Sequence, residues 1–245
     1  METVVYYVLL AFAVLITLTV HEYCHGYAAY KLGDPTAKSL GRLTLNPIKH
    51  IDPIGALCML LFRFGWAKPV PVSSRYLKKP RRDLAIISLA GPLSNLVLSF
   101  FAALIYLTVY SIFKDMAFES DFLLAMVQNT LNFFMIFHFV NIGIAIFNLI
   151  PVPPLDGSKI LAVLLPPKAS QAYLRNERTF YFILLGWLLL GDYAAGFLLG
   201  IPAVAANPVL SFIAGLLSLS DIIAFIMNAI SDGIFNLLGL IPFFR

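Results

Sequence analysis

The sequence predicts an all-α polytopic membrane protein: a bundle of about four to six transmembrane helices with a short membrane-associated β-strand or re-entrant segment after the first helix. Three observations predict it. Hydrophobic residues make up 60% of the chain and charged ones only 12%, with a mean hydropathy of +0.87, outside the range of a soluble globular domain. Apolar runs of about 20 residues, enough to cross a hydrocarbon core roughly 30 Å thick, recur along most of the chain. And 11 of the 17 Lys and Arg lie between Lys31 and Arg82, a bias that marks a cytoplasmic connection.

The first helix is expected at about residues 4–30. It lacks the positively charged start of a secretory signal, carrying Glu2 instead, and no small-residue cleavage site precedes its polar end. It therefore reads as a retained helix. The basic stretch that follows contains a strand or re-entrant segment over 37–72. Ala37 to Leu45 and Trp66 to Val72 read as short extended pieces, the second confined to an edge by its prolines, and Ile54 to Phe64 is apolar but too short to span. Helices at about 84–113 and 122–150 come next, joined by a loop with Lys114, Asp115, Glu119 and Asp121, a net acidic connection suited to the outer face. From near Thr179 a long apolar stretch has room for two further crossings. Residues 1–170 are thus read as a membrane core and 171–245 as C-terminal hydrophobic helices.

The same charges exclude some functions. The basic residues are scattered among apolar, Pro and Gly positions and face anionic lipid, which argues against a nucleic-acid partner. Cys24 and Cys58 imply no disulfide framework. The expected setting is a multi-pass protein of the plasma membrane with the lipid bilayer as its solvent. Nothing in the sequence fixes an oligomeric state.

The first helix carries the chemistry. In His21-Glu22-Tyr23-Cys24-His25 no helix breaker intervenes, so His21 and His25 lie one turn apart and about 40° apart in projection. Both imidazoles can reach one metal. Glu22 projects to one side, beside the place of a metal-bound water, which is the general-base position of the H-E-x-x-H pattern. Cys24 falls about 100° to the other side and is a poor ligand. Such ionisable groups at the end of a hydrophobic helix are costly unless they bind something.

Two histidines need a third protein ligand and an open position. A histidine six residues after the second would suit, but Lys31 stands there. Asp156 lies just after the third helix, which returns to the face on which the first helix ends. Its competing role is a helix N-cap before Ser158 to Leu165. The prolines at 151, 153 and 154 break the helix at membrane depth and free the chain to turn a carboxylate inward. One zinc ion per chain is the expected cofactor.

Three motifs carry a family resemblance: HEYCH on the first helix, GPLSN from Gly91 to Asn95 on the second and FNLIPVPPLDG from Phe147 to Gly157 after the third. Together they resemble the site-2 proteases, intramembrane zinc metalloproteases, in a compact form without an inserted PDZ domain. The likeness spans most of residues 1–165 and becomes merely compositional beyond about 170. It implies that His21, His25 and Asp156 hold zinc, that Glu22 is the catalytic base, and that Asn95 and Asn148 line the site. Helical projection places Ser88, Gly91, Asn95 and Ser99 on one stripe, and His138, Asn141 and Asn148 on another. Asn95 and Asn148 could line the site and stabilise an oxyanion, or hydrogen-bond between helices; His138 reads as packing and His50 as a loop residue. The implied activity is zinc-dependent endoproteolysis in or near transmembrane segments of membrane-protein substrates, near the cytoplasmic side. The alternative is a non-catalytic membrane protein that binds a metal or other helices.

Overall fold

A computed structural model describes residues 2–55, 67–118 and 120–244. The described residues contain five helices long and apolar enough to cross a membrane, and the chain is an integral multi-pass membrane protein. They are α1 (Glu2–Lys31), α3 (Pro80–Phe113), α4 (Asp121–Leu149), α7 (Glu177–Leu199) and α10 (Leu219–Leu238). Short helices lie between them: α2 (Thr36–Ser39), α5 (Asp156–Leu164), α6 (Pro167–Arg175), α8 (Pro202–Ala205) and α9 (Pro208–Gly215). At 30 residues, α1 is about 45 Å long, longer than the roughly 30 Å hydrocarbon core.

The helices α1, α3 and α4 pack on one another and bury a mixed core. Ala13, Ala102 and Phe137 meet where the three cross, and small residues there let the backbones approach. Polar residues join them further along: Ser88, Asn95, Ser99, His138 and Asn141 are all buried, on the two stripes that helical projection picks out. His138 ties three helices. Its Nδ1 lies 2.9 Å from Ser99 Oγ on α3 and its Nε2 lies 3.0 Å from Ser231 Oγ on α10. The C-terminal pair is pinned separately: Trp187 Nε1 donates to Leu217 O at 2.8 Å, and Ser218 and Ser220 donate to Asp192.

The segment between α1 and α3 departs from expectation. α1 ends in a Schellman turn, in which Asp34 N–H donates to Ala29 O at 2.9 Å and Gly33 N–H to Tyr30 O at 3.2 Å. Gly33 has φ +107°, which a residue with a Cβ adopts only under strain. The predicted extended piece from Ala37 is instead partly helical, because α2 covers Thr36–Ser39. Asp34 and Pro35 explain it: the Asp34 carboxylate accepts from the Thr36 N–H and hydroxyl, and proline suits the start of a helix. Among the described residues no strand forms in 37–72, only an isolated antiparallel bridge between Ile51 and Ala67. The apolar Ile54 to Phe64 stretch lies largely outside the described residues.

After α4 the chain turns sharply. Pro151, Pro153 and Pro154 cannot continue a helix, and α5 starts at Asp156 with no side-chain cap at its N-terminus. The N-cap role considered for Asp156 is therefore not the one its carboxylate plays. At the other end of α5, Arg81 Nη2 donates to Ala162 O at 2.8 Å and to Leu165 O at 2.5 Å. This arginine satisfies the orphan carbonyls of the helix C-terminus and fastens α5 to the start of α3.

Candidate metal centre

His21, His25 and Asp156 each present a ligand atom, and these atoms all lie within 4.8 Å of one another. His21 Nε2 is 3.2 Å and His25 Nε2 3.0 Å from Asp156 Oδ2, and the two Nε2 atoms are 2.9 Å apart. All three residues are buried. Asp156, to which the topology and the proline break point, is carried to the histidines by α5 from 135 positions away.

Each histidine has a partner behind it. His25 Nδ1 donates to Ile87 O at 2.7 Å, so in neutral His25 the inward Nε2 carries a lone pair. Asn95 Nδ2 faces His21 Nδ1 at 3.2 Å. In that arrangement the proton on His21 Nε2 is the only one shared among the three converging atoms. A cation bound by His21 Nε2 requires the proton on Nδ1 instead, and the amide meets it by turning its oxygen toward the ring. Asp156 is pulled two ways. Burial disfavours its charge, but the hydrogen bond from His21, the adjoining His25 ring and the nearby Lys159 hold its carboxyl well below the usual carboxylate range. Two imidazole lone pairs and an ionised carboxylate, with an orienting group behind each ring, are a donor set that fits zinc.

Gly91 makes this packing possible. A Cβ there would lie 2.6 Å from His21 Nε2 and 2.6 Å from His25 Cε1, so both rings rest on the bare backbone of α3. This is a role for the first residue of GPLSN that spacing alone does not reveal.

Glu22 stands beside the trio and outside it. Together with His21 it lines a cavity of about 850 Å³ with mostly apolar walls: Val14 and Leu18 from α1, Phe139, Ile144 and Asn148 from α4, Leu184 and Leu188 from α7, and Met227 from α10. Asn148 donates one amide N–H to Ile144 O at 3.0 Å and has a second to offer. Asn95 is fully buried behind His21 and is not among the residues that line the cavity. His138 and His50 take no part in the trio; His50 Nε2 donates to Thr44 O at 2.8 Å. Three contributors leave no mark in the sequence. The α7 and α10 walls come from apolar residues indistinguishable from lipid-facing ones, and Val70, whose N–H donates to Glu22 Oε2 at 2.7 Å, acts through its backbone.

A family model, Peptidase family M50, matches residues 9–191. The chain belongs to this family, the site-2 proteases. It is a metalloprotease embedded in a membrane. It is 40% identical over 186 residues to a Bacillus subtilis (strain 168) protein named "Putative zinc metalloprotease YwhC", covering 75% of this chain and 82% of that one. It is 32% identical over 163 residues to "Putative zinc metalloprotease Rip2" of Mycolicibacterium smegmatis, covering 64% and 58% of the two chains. The Mycobacterium tuberculosis H37Rv protein of the same name is 28% identical over 193 residues, covering 76% and 68%. No solved structure matches.

Proposed function

We propose that this metalloprotease is an intramembrane endopeptidase with one zinc ion held by His21, His25 and Asp156, hydrolysing peptide bonds in or near transmembrane segments of other membrane proteins. The observation that carries the reading is the convergence of three buried lone-pair donors beside a large apolar cavity, which His21 lines together with Glu22, a carboxylate not needed as a ligand. Relatives named as zinc metalloproteases support the choice of metal.

The chemistry expected of a bound zinc is Lewis acidity, which polarises a carbonyl and makes water a nucleophile near neutral pH. Glu22 takes the proton from the attacking water and returns it to the leaving amine. Asn148 offers its second amide N–H to the oxyanion as the tetrahedral centre forms. Asn95 keeps His21 in the ligating tautomer. The apolar walls accept the hydrophobic side chains of a transmembrane segment and exclude bulk water, which strengthens every electrostatic contact within. An intact helix hides its carbonyls in hydrogen bonds, so the substrate must open to an extended form. Ala67 and Pro69, which also line the cavity, give it an edge to lie against.

The basic residues between Lys31 and Arg82 favour the cytoplasmic side for the Lys31 end of α1, in what we take to be the plasma membrane. The two histidines, within the last three turns of α1, then face the cytoplasmic leaflet. Residues 1–170 supply all the proposed ligands and the base, and the helices of 171–245 close the cavity.

The test measures zinc per chain and cleavage of a panel of single-pass reporters for the wild type, Glu22→Gln and Asp156→Ala. Glu22→Gln should keep its zinc and lose cleavage by about a hundred- to ten-thousandfold, the scale of a general base, and Asp156→Ala should lose both. Cleavage at the wild-type rate by Glu22→Gln would remove Glu22 as the base; a zinc-loaded wild type that cleaves none of the reporters would make the protein a metal or helix binder; full zinc occupancy in Asp156→Ala would remove the third ligand.

A further inference from the structure

The segment Lys68-Pro69-Val70-Pro71 runs alongside α1 in the same direction and passes Glu22 on its way to Asp34. A residue that precedes proline is driven to extended backbone, and proline itself is fixed near φ −65°, so alternating prolines stiffen this strap. They also remove donors: within Pro69-Val70-Pro71 only Val70 has a backbone N–H. That single donor points at Glu22 Oε2, 2.7 Å away.

The strap is anchored independently on both sides of this contact. Lys68 N–H donates to His50 O at 2.8 Å, and Arg42 Nη2 donates to Lys68 O at 2.7 Å. Beyond Val70, Ser73 N–H donates to Asp34 Oδ2 at 2.6 Å, and Asp34 is itself fully buried next to the turn that ends α1. Val70 is buried as well, at 7% exposure. The donor is therefore part of a rigid, water-excluded frame, whereas the Glu22 carboxylate sits at the end of three rotatable torsions. A carboxylate has acceptor sites on both oxygens. The Val70 bond occupies Oε2 and leaves Oε1 for water.

We propose that the backbone N–H of Val70 is a positioning group for the reaction: it tethers Oε2 of Glu22 so that Oε1 faces the reacting water in the cavity. The inference rests on Glu22 being the base. The two prolines explain why the tether is built this way. They exclude competing donors beside the base and hold the strap extended with no strand partner at Val70 among the described residues.

The decisive experiment replaces Val70 by its α-hydroxy acid analogue, which removes the N–H and keeps the side chain; Val70→Pro removes the same donor by ordinary mutagenesis, and Val70→Ala keeps it. kcat, KM and zinc per chain are measured on whichever single-pass reporter the wild type cleaves fastest, with Glu22→Gln as the reference. Loss of a hydrogen bond to a charged group that sets reacting geometry should lower kcat about ten- to a hundredfold. KM and zinc should stay unchanged, and Val70→Ala, which keeps the N–H, should lose less kcat than the hydroxy acid variant. If Val70→Pro does not fold, the hydroxy acid variant decides. Wild-type kcat in that variant, with Glu22→Gln inactive, would overturn the tether and leave the base assigned. A fall in zinc content parallel to kcat would also overturn it, by making Val70 a structural support. An active Glu22→Gln would instead remove the reading on which the inference stands.

Discussion

Two of the places where the protein buries histidine behave as opposites. His138 is enclosed by hydroxyls: Ser99 meets Nδ1 and Ser231 meets Nε2, so each ring nitrogen has a neutral partner able to donate or accept. Nothing is left over for a ligand. At His21 and His25 the inward nitrogens face each other and a carboxylate, and one proton cannot satisfy them all. A cation resolves that conflict. The second difference is access, since His21 lines the cavity whereas His138 is wholly buried. Burial is common to both places; what separates them is an unresolved excess of acceptors beside open space.

Three substitutions probe this contrast. Gly91→Ala should have the largest effect, because a Cβ 2.6 Å from atoms of both His21 and His25 forces the rings apart. Zinc titration should show affinity weakened by about a hundredfold, a loss on the scale of a disrupted ligand shell, with cleavage falling in parallel, and unchanged affinity would mean that the rings can shift at no cost. Asn95→Ala comes next. It removes the group behind His21 that selects the ligating tautomer, so metal affinity should drop about tenfold while a substrate's KM stays near the wild-type value. A change confined to KM would move Asn95 to the substrate-lining role that its place in GPLSN also allows. His138→Leu should have the smallest functional effect: zinc and kcat unchanged, and unfolding in detergent easier by about 1–2 kcal/mol for the lost links among α3, α4 and α10. Loss of zinc there would join the two places into one site.

The trio is legible in the amino-acid sequence because each part leaves a local mark. A four-residue spacing on an unbroken helix puts two imidazoles on one face, and a proline cluster announces where the next helix must stop and a carboxylate can turn in. The crossings are legible to within a few residues because apolar length is itself the physical requirement. The basic segment between α1 and α3 is not. Its shape comes from side chains that bind distant backbone, such as Arg42 on Lys68 O, Glu22 on Val70 N and Asp34 on Ser73 N, across 26, 48 and 39 positions. Such ties leave no periodicity. The helical turn at Thr36–Ser39 is different: Asp34-Pro35 is a readable start signal, outweighed by the alternating look of the residues that follow.

The 135 positions between His21 and Asp156 also set an order of events during synthesis. At about 5–20 residues per second, the carboxylate follows the first histidine by roughly 7–27 seconds. Until α4 has been inserted and the chain has turned at its prolines, the nascent protein has two imidazoles and a base but no complete site. On the proposed ligand set the protease stays inert while α1, α3 and α4 are inserted, and only α7 and α10 enter the membrane after its ligands are complete.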